Sequence, residues 1–134
     1  MSPKDHQSPD QSTTHGVRVE VLTQFVPEQS DPAKGRYLFA YSIRISNTRP
    51  QNVQVVGRHW IITDGRGREE EVKGEGVVGE QPVIESGQTF EYQSFCPLQT
   101  PTGSMRGWYQ VIIDSKTVSV EIPQFFLVEP GSFH

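Results

Sequence analysis

Cysteine is nearly absent from this chain: Cys96 is the single one in 134 residues. That excludes an internal disulfide and a zinc site built on cysteines. Long apolar runs are missing too. Nothing approaches the roughly 18 residues of a membrane span, and the opening residues carry no apolar signal core, so the expected compartment is the cytoplasm. Positive charge is scarce, with 12 Lys and Arg against 16 Asp and Glu and a net charge of −4. A basic stripe that could follow a phosphate backbone is not expected, and nucleic acid is set aside as a partner. Helical periodicity is lacking as well, since no stretch carries an apolar face at i, i+3, i+4 and i+7.

What the chain does have is 12 glycines and 10 prolines, the punctuation of a fold with many turns. Its length suits one domain with one core. Residues 1–15, MSPKDHQSPDQSTTH, hold almost nothing apolar and are expected to be a disordered tail ahead of a domain spanning 16–134. From Gly16 the pattern changes. GVRVEVLTQFV sets Val17, Val19 and Val21 against Arg18 and Glu20, a half-buried strand. RYLFAYSIRISN alternates Tyr37, Phe39, Tyr41, Ile43 and Ile45 against smaller or polar residues, the cleanest period-two run in the chain. VQVVGRHWIIT splits its apolar residues over both parities, with Val56, Trp60 and Ile62 on one and Val53, Val55 and Ile61 on the other. DGRG is a hairpin turn signal, and REEEVK reads as a polar edge strand whose charge blocks further pairing. QTFEYQSF, MRGWYQVII and TVSVEIPQFFLV complete the set, with Pro123 marking a bulge, an end or an edge in the last. About seven antiparallel strands at this spacing predict an all-β sandwich of two packed sheets.

Chemistry is thinly spread. GEGVVGEQP places Gly74, Gly76 and Gly79 at the spacing of the G-x-G-x-x-G dinucleotide fingerprint. That fingerprint needs a strand before it and a helix opening at its third glycine; Glu80, Gln81, Pro82 and an extended VIESG follow instead, so the Rossmann reading fails. A narrower reading survives, in which the backbone N–H groups of the loop form a nest for a pyrophosphate-like anion with help from Lys73 or Arg68. Glu75 and Glu80 oppose it, and a plain connection between strands is the simpler expectation, with at least one of the glycines at positive φ.

Of the four histidines, His6, His15, His59 and His134, none has metal-ligand spacing. His59 could serve as a general base only if the fold brought a carboxylate beside it. Asp64, Glu69, Glu70, Glu71 and Glu75 could gather a hard cation, but alternation along a strand sends Glu69 and Glu71 to one face and Glu70 to the other. Neither a bound metal nor a cofactor is expected. Cys96 lacks an activating base, so a buried thiol is expected. Bulky residues on both parities of MRGWYQ and PQFFLVEP suggest a contact patch around Trp108, Phe125 and Phe126.

Taken in order, YSIRISN, RHWIITDGRG, VKGEGVVGEQPVI, SGQTFEYQSFCPLQTPTGSMRGWYQV and VEIPQFFL resemble the ApaG family over residues 16 to 131. Glu85-Ser86-Gly87 departs from the Pro-Gly turn expected there. The resemblance implies a fibronectin-type-III-like sandwich and a small bacterial protein often encoded beside a diadenosine tetraphosphate hydrolase. It also implies a link to cobalt resistance and magnesium efflux, with no catalytic residue attached. Similar domains sit in an F-box protein and a polymerase-interacting protein, where protein binding is the inferred role. The expectation is a non-enzymatic domain that binds a partner protein, with a homodimer left open. The alternative is capture of a phosphorylated nucleotide or a divalent cation on the glycine-rich loop, and a hydrolase comes last.

Overall fold

A computed structural model describes residues 9–133 of the chain, the side chains of 132 and 133 excepted. Nine strands run β1 Asp10–Thr14, β2 Val17–Phe25, β3 Tyr37–Asn47, β4 Val53–Asp64, β5 Glu69–Glu75, β6 Val83–Ile84, β7 Thr89–Leu98, β8 Thr102–Ile113 and β9 Lys116–Val128. The only helical pieces among the described residues are 3-10 turns of three or four residues. No helix there is long and apolar enough to cross a membrane.

All pairings between strands are antiparallel, in two sheets ordered β1-β2-β3-β7 and β5-β4-β8-β9, with β6 added beside β4. Inward residues of both sheets make one core. Val17, Val19, Val21, Phe39, Ile43 and Ile45 come from the first; Val53, Val55, Tyr109, Val111, Val120 and Ile122 come from the second. The Tyr41 ring bridges the layers, lying 5.5 Å edge to face from Trp60 and 5.9 Å from Phe125 of the opposite sheet. Asn47, buried at the end of β3, donates to the carbonyls of Gln51 and Ile84, which fastens the short β6 to the sandwich.

The expected strands all form, and two more appear. The expected tail is corrected where it can be observed: Asp10–Thr14 pairs along its length with Val17–Val21 through a turn at His15 and Gly16, φ 52° and 77°. Residues 1–8 lie outside the described residues. Pairing supplies what apolar content does not, because each backbone N–H and C=O that enters the ladder is satisfied whatever the side chain.

Bulges settle the two ambiguous patterns. The β4–β8 register shifts between Val55 and Gly57, so Val53 and Val55 face the core before the shift and Trp60 and Ile62 after it. The β8–β9 register shifts beside Pro123, and the inward set passes from Val120 and Ile122 to Phe125 and Leu127.

Candidate functional site

Each glycine of GEGVVGEQP has its own steric role. Gly74 belongs to β5 and pairs with Arg58 of β4, so the loop begins only after Glu75. A Cβ on Gly74 would lie 2.7 Å from Arg58 Cζ, and its absence makes room for the guanidinium. Arg58 Nη1 then donates to the carbonyls of Glu75 at 2.9 Å and Gly76 at 3.0 Å, which pins the loop. Gly76 has φ +61°, and a Cβ there would meet the Glu80 carbonyl oxygen at 2.0 Å. Val77 and Glu80 exchange backbone hydrogen bonds of 2.8 and 2.9 Å around Val78 and Gly79, both at positive φ, the geometry of a primed two-residue turn.

That turn fills the core with Val77, which is fully buried, and leaves Val78 exposed. It also turns the N–H groups of Gly76, Val77 and Glu80 inward, to the carbonyls of Val56, Glu80 and Val77. An anion nest needs successive N–H groups converging on one external point. Lys73 does not join them. It lies on the outer face of β5 with its ammonium 3.9 Å from Glu71.

On that outer face the fold brings His59 the carboxylate that the sequence could not place. His59 Nε2 is 2.7 Å from Glu71 Oε2, and its ring centroid is 4.2 Å from that of Trp108, which is half-buried. The pair has no thiol to activate: Cys96 sits inside the sandwich on the other sheet, its thiol pushed up to about 11 by burial and then by nearby Glu70. Glu69 reaches outward toward Arg106 at 4.0 Å, whereas Glu70 lines the inter-sheet side. Among the described residues no group of three or more His, Cys, Asp or Glu is arranged to hold a metal. Asp64 is engaged by its own turn, accepting from the N–H groups of Arg68 and Arg66, which hold its carboxyl below the ordinary range.

The expected contact patch needs correcting at Phe125, which is wholly buried because the Pro123 bulge resets the inward parity. Phe126 is consequently turned out and is 63% exposed. With Leu22, 42% exposed, it lines a groove of about 650 Å³ along β2 and the end of β9, rimmed by Thr23, Gln24, Ser42 and Gln93. Trp108 is not part of it. Leu22 was missed by sequence reasoning, yet a signal existed: it occupies the polar parity of β2, in line with Arg18 and Glu20.

Comparison with known proteins agrees with this architecture. The ApaG domain pattern matches residues 27–113. Protein ApaG of Bordetella pertussis is 49% identical over 121 residues, covering 90% of this chain and 92% of that protein. Protein ApaG of Nitrosomonas europaea is 50% identical over 121 residues, covering 90% and 95%. The crystal structure of a Bordetella pertussis protein described as ApaA superposes with a TM-score of 0.82 at 47% identity, over 92% of this chain and 98% of that one.

Proposed function

The chain belongs to the ApaG domain family, and from that premise we propose that it is a non-enzymatic β-sandwich that docks a partner protein in the groove between β2 and β9. The observation that carries this reading is the exposure of Phe126 beside Leu22, two large apolar side chains that the core does not use. The uncharged rim of Thr23, Gln24, Ser42 and Gln93 defines the chemistry of the partner. It suits a polypeptide segment that presents apolar side chains flanked by backbone amides and no cluster of charge. The geometry supports this better than anion capture on the glycine stretch, where three N–H groups are already used internally. The His59–Glu71 pair offers a base, but the single thiol, Cys96, is buried on the other sheet, so the pair does not favour an enzyme.

The test is capture of partners by wild type, Phe126→Glu and Val83→Glu side by side; Val83 is equally exposed but lies away from the groove. A partner retained by Val83→Glu and lost by Phe126→Glu, with unchanged melting of both variants, is the expected result. Capture that survives both Phe126→Glu and Leu22→Glu would overturn the reading.

A further inference from the structure

Between the β5 and β7 margins the two sheets are not paired, and a cleft of about 340 Å³ opens into the sandwich. At roughly 30 Å³ per water-sized group, it has room for about ten. Trp60, Val72 and Met105 give it apolar walls, and Tyr41 and Tyr92 bring their rings from the opposite sheet. One charged side chain lies among them. The β4 bulge that turns Trp60 and Ile62 inward does the same to Arg58, two positions before Trp60.

Arg58 is half-buried and has no carboxylate within ion-pair distance among the described residues. Arg36, Arg66 and Arg68 also lack one, but they are exposed and water solvates them. The two carbonyls that Nη1 engages are neutral, so they satisfy hydrogen bonds without cancelling charge. A guanidinium carries five N–H groups. Those on Nη2 and Nε have no partner within the described protein, while the arginine itself lines the cleft. The neighbouring phenols offer no counter-charge either: burial raises Tyr41, Tyr92 and Tyr109, and Tyr92 and Tyr109 hydrogen-bond to each other. A partly desolvated cation normally has an anionic partner, because removing water from a lone charge costs several kcal/mol.

We propose that this cleft is a binding site for a small organic monocarboxylate with an apolar body, the carboxylate seated on the Arg58 guanidinium and the body lying between Trp60, Val72 and Met105. A guanidinium fork matches a carboxylate in shape and charge. A phosphate dianion fits less well. One arginine cancels one negative charge, and Glu70 lies at the cleft with Glu75 and Glu80 exposed nearby. The cleft shares no lining residue with the β2–β9 groove, so its test is independent of the partner-docking reading.

The experiment is an NMR titration of the full chain with 3-phenylpropionate, 3-phenylpropionamide and phenyl phosphate. Saturable shifts confined to Tyr41, Trp60, Val72, Tyr92 and Met105 are expected for the acid, with the amide and the phosphate at least about tenfold weaker. Arg58→Gln should weaken the acid by a similar factor. That variant also loosens the glycine loop, so Val72→Phe serves beside it, filling the cleft while leaving Arg58 in place; it should abolish binding with the fold intact. Equal shifts from acid and amide, wild-type binding by Val72→Phe, or no saturation by about 10 mM acid would each overturn the proposal.

Discussion

One long margin of this sandwich is closed and the other is open. On one, β1 lies beside β9: Ser12 Oγ donates to the carbonyl of Glu121 at 2.9 Å, and Thr14 Oγ1 accepts from its N–H at 3.1 Å. Valines 17, 19 and 21 on the neighbouring β2 are sealed from water. On the other margin β5 and β7 stand apart, and Ile62, Val72, Phe90 and Tyr92 are only partly buried. Hydroxyl groups can close a sheet edge without any apolar residue, because the unmet backbone groups of the edge are what they satisfy. The open margin keeps its apolar residues and a cation half-wet. Closure here follows hydrogen bonds, and access follows packing.

The largest effect should come from the glycine turn that ends the open margin. Gly76→Ala forces a Cβ against the Glu80 carbonyl and a side chain into left-handed backbone, and should cost about 3 kcal/mol or more. Gly79 also has positive φ but nothing within 4 Å of its Cβ position, so Gly79→Ala should cost about 1 kcal/mol. Urea denaturation of the two variants measures the gap. Equal losses would mean that the turn is not held by the Gly76–Glu80 approach.

The closed margin is tested by removing residues 1–14. Without β1, the β2 edge loses its ladder and Glu121 loses both hydroxyl partners, so stability should fall by about 2 kcal/mol. Denaturation midpoints of the truncated and full chains decide it. An unchanged midpoint would show that β2 and β9 close this margin alone, and the contrast between margins would collapse.

Much of this was legible in the sequence, and the failures have physical causes. Alternation in Tyr37–Asn47 identifies β3 because Tyr41, Ile43 and Ile45 are buried while Ser42 and Arg44 between them are exposed. Asp10–Thr14 carries no such signal, since its strand is specified by backbone pairing and two hydroxyls. The acid run was read correctly as an edge strand, which β5 is. Arg58 and Phe125 were obscured by bulges: a single inserted residue swaps inward for outward, and period-two counting has no means of locating the swap. The Pro123 bulge could be anticipated because proline removes a donor; the one at Val56 had no such marker. His59 and Glu71 meet only through β4–β5 register, which the DGRG turn sets but does not reveal without counting back across the hairpin.

The smallest predicted effect probes the open margin through Cys96, which lines the cleft and is 2% exposed. Burial favours the neutral thiol and raises it to about 11. In the unfolded chain the same thiol ionises near its ordinary value of about 8.5. Below that value both states hold the proton and the folded state keeps its full advantage. As pH rises the unfolded state releases a proton that the folded state retains, so stability declines until the folded thiol titrates as well. Between about pH 8 and 9 the loss assigned to Cys96 should be about 0.7 kcal/mol, with the buried tyrosines contributing mainly above that window. Urea midpoints across this range check it for wild type and Cys96→Ala. The alanine variant starts lower because it leaves a small void, but its slope should be flatter. Parallel slopes would mean that water reaches the thiol through the cleft and ionises it in the folded state too, so that the β5–β7 margin is more open than its packing indicates.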